Sequence, residues 1–283
     1  VLCKERACSI RAAESIPKGL PQKAGPFLLA NFAGWTILVL MTGDRDLQKL
    51  LRQHRELEAF FAGDFTLRSR KPEAETDISE SPQRLLEAIA EEIRACRRCA
   101  IGSTHLNAVP GEGSPNARLV FVGEAPGADE DQQGRPFVGR AGQLLTKIIA
   151  SIGLRREQVF ICNILKCRPP ENREPKPDEI CNCLPFLKRQ LDIIQPEVIV
   201  ALGSHAARTL LETETPIGKL RGHFHEYRFS ETSRPAKLMP TYHPAYLLRN
   251  YSYENRQRVW QDLQKVADVL GLELPTSGGQ RGG

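Results

Sequence analysis

From residue 118 onward, short apolar runs alternate with longer amphipathic stretches, and that alternation limits the fold more than any other feature. The runs are 118–123 (RLVFVG), 158–165 (QVFICNIL), 197–203 (EVIVALG) and 237–244 (KLMPTYHP). Helix-like apolar spacing follows the first three, at 139–152, 177–194 and 204–212. Strands that alternate with helices pair in parallel and are covered on both faces, because each crossover lays a helix on the sheet. The expectation is an α/β three-layer sandwich with a central, mainly parallel four-stranded sheet flanked by helices. A further amphipathic helix is expected at 85–96 and a closing helix at 260–272.

A sheet of this kind gathers ligands at the carboxyl ends of its strands, and the chemically unusual residues sit there. Gly123, Glu124, Ala125, Pro126 and Gly127 follow the first run, and Asn163 lies in the second. Gly203, Ser204 and His205 follow the third run, and His243, Pro244 and Ala245 close the fourth. Four strand ends converging on one rim are expected to build an active site.

The cysteines point to a second kind of chemistry. Eight occur, at positions 3, 8, 96, 99, 162, 167, 181 and 183. A chain of 283 residues does not need disulfide staples, and C-x-x-C spacing favours metal binding in a reducing compartment, so a cytoplasmic protein is expected. Cys96 and Cys99 end a predicted helix, while Cys167 and Cys183 bracket a loop, RPPENREPKPDEICN, stiffened by four prolines. These four are the candidate metal ligands. Cys3, Cys8, Cys162 and Cys181 read as free or buried thiols. Four thiolates accept either Zn²⁺ or a [4Fe–4S] cluster, and the residue chemistry alone leaves that choice open.

The net charge of +5 permits a polyanionic partner without demanding one. Residues 26–41 carry no charge; the run is too short for a comfortable membrane span and fits a buried segment or a signal-like stretch. The chain begins with Val1, and Met41 opens a plausible helix over 44–61. Residues 1–80 are therefore expected to be an N-terminal extension and linker, 1–40 an irregular segment or start-site artefact. The polar stretch 71–83 is the linker, 81–273 the main domain and 274–283 a tail of disordered composition.

Three blocks in that domain are long and ordered: GEAPGADEDQQGRPFVGRAGQLL (123–145), NILKCRPPENREPKPDE (163–179) and YHPAYLLR (242–249). Together they resemble the family 4 uracil-DNA glycosylases, the iron–sulfur group of that superfamily, over about residues 85–270. The resemblance implies a [4Fe–4S] cluster on Cys96, Cys99, Cys167 and Cys183. It implies a DNA-repair enzyme that flips uracil into a pocket, since a glycosylase cannot reach the N-glycosidic bond within a stacked duplex.

Phe137 then resembles the aromatic that stacks on the flipped base, with Gly123 beside it. Asn163 resembles the base reader, its carboxamide complementary to uracil O4 and N3–H. His243 resembles the histidine that donates to uracil O2 as the base departs. Glu124 is the candidate to position the attacking water, although the best-known branch of the superfamily has an Asp where this chain has Ala125. Glu130 is placed near uracil C5, against thymine's methyl group. DNA contacts are expected from Arg140, the Ser204–His205 turn and Arg249, with Leu247 as the wedge that fills the vacated stack. Relatives that trap their product covalently carry a histidine after the third cysteine; 168–180 contain none, so turnover is expected. The expected partner is uracil-containing DNA, single- or double-stranded, acted on by a monomer without a membrane. The rival readings are a non-catalytic nucleic-acid-binding module with a four-cysteine metal site, and a glycosylase with a broader range of deaminated bases.

Overall fold

The computed structural model describes residues 81–229 and 235–274, together with the backbone of 27–32 and 35–40. The chain divides into two units, 1–58 and 59–283. In the first, β1 (Phe27–Phe32) and β2 (Trp35–Leu40) pair antiparallel, Phe27 opposite Leu40 and Phe32 opposite Trp35. The uncharged run at 26–41 therefore contains a strand pair. The helix expected at 44–61 and the tail 275–283 lie outside the described residues, as does the linker up to residue 80. Among the described residues, no helix is long and apolar enough to cross a membrane.

The second unit is built on a six-stranded sheet. Its strands are β3 (Glu112–Gly113), β4 (Leu119–Gly123), β5 (Phe160–Asn163), β6 (Val198–Leu202), β7 (His225–Tyr227) and β8 (Ala236–Thr241). Their order is β3-β5-β4-β6-β8-β7. The four strands expected from the sequence are the central four, and they pair in parallel. The difference lies at the edges, where β3 and β7 add short antiparallel strands. With two and three residues respectively, they are too brief to show an alternating pattern. Every residue of β4, β5 and β6 is buried, as strands covered on both faces require.

Eight helices lie among the described residues: α1 (Pro82–Ala95), α2 (Ala128–Gln133), α3 (Arg140–Ser151), α4 (Pro177–Ile194), α5 (Ser204–Leu211), α6 (Ile217–Leu220), α7 (Pro244–Arg249) and α8 (Tyr253–Leu270). Pro82 and Pro177 each occupy the first helical turn, where a missing N–H costs nothing. Leu86, Ile89 and Ile93 line the buried face of α1 at helical spacing. The closing helix α8 begins seven residues before the expected start, because the Ser252 hydroxyl caps it by accepting from the Asn255 N–H at 3.2 Å. Inside the helical layer, Asp262 of α8 accepts from Arg221 and from the Thr241 hydroxyl at 2.7 Å. That buried network pins the end of β8, two residues before His243.

Candidate active site

The carboxyl ends of β4, β5, β6 and β8 open into one cleft of about 730 Å³, within the range of small-molecule sites. Glu124, Phe137, Asn163, His205, His243 and Arg249 all border it. The sequence placed Glu124, Asn163, His205 and His243 on a common rim; the parallel order of the strands brings these four together, and Phe137 and Arg249 join them.

Asn163 ends β5 and is 1% exposed. Its Oδ1 is buried without a hydrogen-bond partner, a state that costs free energy unless a ligand supplies the donor. Phe137 stands on the other side of Gly123. A Cβ at Gly123 would come within 2.4 Å of Asn163 Oδ1 and 2.5 Å of Phe137 Cζ. Only a glycine leaves the ring and the amide where they are.

Phe137 itself adopts a left-handed backbone, φ 51°, which a bulky residue rarely takes. Its surroundings hold it there. Arg156 donates to the carbonyls of Pro136 and Phe137, the latter at 3.0 Å, while its Nε meets Glu112 at 3.0 Å. Burial raises the Glu112 carboxyl and its bonds to Arg135 and Arg156 lower it, leaving it below its ordinary value. Gly142 of α3 approaches so closely that a Cβ would lie 1.9 Å from the Phe137 carbonyl oxygen. Glu130 completes the brace: its carboxylate accepts from the N–H groups of Gly127, Val138 and Gly139 at 3.1, 2.9 and 3.0 Å. Glu130 borders the cleft, but both its oxygens are committed to the backbone around Phe137. These bonds fix the carboxylate at the cleft border, where it supports the loop. Sequence reasoning missed Arg156 and Glu112, whose partners lie far along the chain.

His243 caps α7, with its Nδ1 accepting the Ala245 N–H at 3.1 Å. A nitrogen that accepts carries no proton, so the neutral ring keeps its hydrogen on Nε2. Burial pushes its pKa down to about 4; Glu124 and Glu130 oppose that shift and Arg249 adds to it. The ring faces Phe137 with centroids 5.6 Å apart. What the cleft holds at neutral pH is an uncharged imidazole with one N–H to donate.

Glu124 follows β4, and its Oε2 accepts from His205 Nδ1 at 2.9 Å. That bond, together with the charges of Glu124 and Glu174, raises His205 above its ordinary value despite its partial burial. Arg140 and Arg249 are exposed at the start of α3 and the end of α7. Leu247, the expected wedge, is 1% exposed. The short helix α7 packs on α3 and turns Leu247 inward, so a side chain in the core has to be withdrawn as the wedge. Tyr246 is the exposed neighbour at the cleft rim, its ring tilted against that of Tyr242 with centroids 5.1 Å apart.

The four candidate ligands share one neighbourhood. Burial, and then the charges of Cys183, Cys99 and Cys96, push the Cys167 thiol up to about 12. Cys183 is raised chiefly by burial. Thiols crowded in this way ionise together only when a cation holds them. Among the described residues, no three His, Cys, Asp or Glu side chains stand at coordination geometry; the match to a cluster is one of donor type and proximity. Lys166, fully buried beside them, donates to the Asn163 carbonyl at 3.0 Å and to Gln190 at 2.7 Å. The loop between Cys167 and Cys183 is fastened by Arg173 on the buried Glu179, and its residues Asn172, Arg173 and Glu174 border the cleft.

Comparison with known proteins agrees with this geometry. Residues 110–264 match the family model described as the uracil DNA glycosylase superfamily. The chain is 47% identical over 189 residues to a type-4 uracil-DNA glycosylase of Sulfurisphaera tokodaii, covering 65% of this chain and 84% of that protein. Type-4 uracil-DNA glycosylases of Archaeoglobus fulgidus and Thermotoga maritima are 46% and 44% identical. Each alignment covers 68% of this chain, and 96% and 97% of the respective relative.

Proposed function

The chain belongs to the type-4 uracil-DNA glycosylases, enzymes of DNA repair that excise uracil, and from that premise we propose how its cleft performs the excision. The flipped uracil stacks on Phe137 and lies against Gly123. Asn163 reads its edge, with Oδ1 accepting from N3–H and the amide donating to O4. The observation that carries this assignment is the buried, unpartnered Oδ1 of Asn163 facing a cleft walled by an aromatic ring.

The reaction then needs little from the protein beyond placement and charge stabilisation. The C1′–N1 bond breaks and its electron pair stays with uracil N1, spreading onto O2. The Nε2–H of neutral His243 donates to O2 and stabilises that anion without giving up its proton. Glu124 holds a water against the cationic sugar; as the water oxygen bonds to C1′, the carboxylate accepts its proton. DNA phosphates are held by Arg140, Arg249 and the backbone amides that open α5 at Ser204 and His205. Tyr246 takes the exposed position at the rim.

Cys96, Cys99, Cys167 and Cys183 hold a [4Fe–4S] cluster, a reading supported by the raised thiols of Cys167 and Cys183 and by the resemblance to the iron–sulfur group. When bound, the cluster supplies structural cross-linking; no electron is transferred in hydrolysis. Purified protein should be brown, with broad visible absorbance and iron rather than zinc; a colourless zinc protein would contradict this.

Release of uracil from a defined oligonucleotide tests the site. Asn163→Asp should lose most uracil excision, each bidentate base contact being worth about 1–3 kcal/mol of discrimination. Any gain on cytosine, whose N4 amino group donates, should be weak. A wild-type rate on uracil would remove Asn163 from the site.

A further inference from the structure

We infer that His205 is a positioning residue of the excision reaction, holding Glu124 through Nδ1 so that the carboxylate's second oxygen is left to the water. The inference rests on the assignment of Glu124 to that water. Glu124 leaves the end of β4 and His205 lies in the first turn of α5. Because β4 and β6 are neighbours in the sheet, residues 81 positions apart meet at 2.9 Å.

Only one carboxylate oxygen is engaged. Oε2 takes the His205 bond, and among the described residues no hydrogen bond engages Oε1. The Glu124 side chain is 33% exposed, so without an anchor it would sample several rotamers and water contacts. One charge-assisted bond to a ring on a rigid helix removes much of that freedom. Glu124 and His243 border the same cleft, so the carboxylate faces the space where the base departs and an ordered water is useful.

The charged groups facing His205 are consistent with this task. Glu124 stands on one side; Glu174, from the loop that joins Cys167 to Cys183, stands 3.8 Å from Nε2; Arg208 lies on the same helix. At 3.8 Å the Glu174 contact is too long for a hydrogen bond, so Nδ1 alone fixes the ring's orientation. The neutral ring with hydrogen on Nδ1 and the imidazolium both donate to Glu124, so the anchor survives a change in protonation. The backbone at 204–205 remains available to a phosphate while the His205 side chain serves the water.

This role differs from packing and from DNA contact in what its loss should do. A partly exposed pair contributes little to stability, whereas a catalytic group moved by about 1 Å costs on the order of 10²-fold in rate. His205→Ala should therefore keep its affinity for uracil-containing DNA within a few-fold while single-turnover excision falls about 10²-fold. The amide nitrogen of Asn reproduces the place of Nδ1 and that of Gln the place of Nε2. His205→Asn should recover excision to within about tenfold of wild type, and His205→Gln should not. In a Glu124→Gln background, His205→Ala should add no further loss, since both act on one water.

The measurement is single-turnover excision and equilibrium binding for the five variants on one oligonucleotide. Unchanged excision by His205→Ala overturns the inference, as does equal activity of the Asn and Gln variants. A loss confined to binding would instead make His205 a DNA contact. If Glu124→Gln excises at the wild-type rate, the assignment of Glu124 itself falls. If Glu124→Gln is slow and His205→Ala is not, only the inference about His205 falls.

Discussion

At the scale of single residues, the site depends on side chains held in states they would not adopt alone. Phe137 is kept at a positive φ, Asn163 Oδ1 is buried without a donor, and His243 is held neutral. Gly123 separates the first two, and its replacement tests that arrangement most simply. In Gly123→Ala the new methyl group would need to displace the Phe137 ring or the Asn163 amide, overpacking that costs about 1–3 kcal/mol. Uracil excision should fall at least about 10²-fold, the scale of a 1 Å misplacement, while the visible spectrum stays unchanged. Measured excision within threefold of wild type would show that the cleft is not closed by a Cβ. Much at this scale was legible in the sequence, because Glu124, Asn163 and His243 fall at strand ends inside distinctive blocks. Leu247 was misjudged, and the bracing bonds of Glu130 went unseen, for one physical reason. Whether a carboxylate meets solvent or three backbone amides, and which face of a six-residue helix is buried, depends on neighbours distant in sequence.

At the scale of elements, the segment from Asn163 to Cys183 joins the two kinds of chemistry. It begins at the base reader, passes Lys166 on the Asn163 carbonyl, and reaches Cys167 within four residues. It then borders the cleft with the loop that Arg173 and Glu179 fasten, before α4 carries Cys183 into the core. The sequence showed the loop's prolines but not that it lines the cleft, since that proximity comes from how α4 returns against the sheet. Loss of a ligand should therefore be felt at both ends. Cys183→Ser is expected to lower iron content, melting temperature and single-turnover excision together, and Cys162→Ala to leave iron content unchanged. Iron content and Tm measured side by side check this; full iron in the Cys183 variant would mean that the wrong fourth ligand was chosen. The edge strands β3 and β7 escaped the sequence because they are too short for periodicity, whereas the central four announced themselves as buried apolar runs.

At the scale of the molecule, the sheet, its helices and all the proposed catalytic groups lie within residues 81–274. The family match at 110–264 falls inside the same span. A chain beginning at Ser81 should fold, bind iron and excise uracil within about threefold of the full-length rate, since it keeps every group proposed to touch substrate. A folded, iron-loaded chain of that length without activity would place a required residue among 1–80.

Excision as proposed depends on a rim of four strand ends that presents a neutral His243 to a departing uracil anion. Its measurement is single-turnover excision against pH for wild type and His243→Ala on one uracil-containing oligonucleotide. With the His243 pKa pushed down to about 4, the neutral donor is present above that value and lost only as pH falls through it. The wild-type rate should thus show no loss from pH 7 to 9. Removing a donor that acts on charge developing in the transition state should slow His243→Ala about 10²–10³-fold, with binding of uracil-containing DNA within a few-fold of wild type. A wild-type rate that falls tenfold per pH unit above 7 would identify an imidazolium acid instead, and a near-wild-type rate for His243→Ala would contradict the assignment outright.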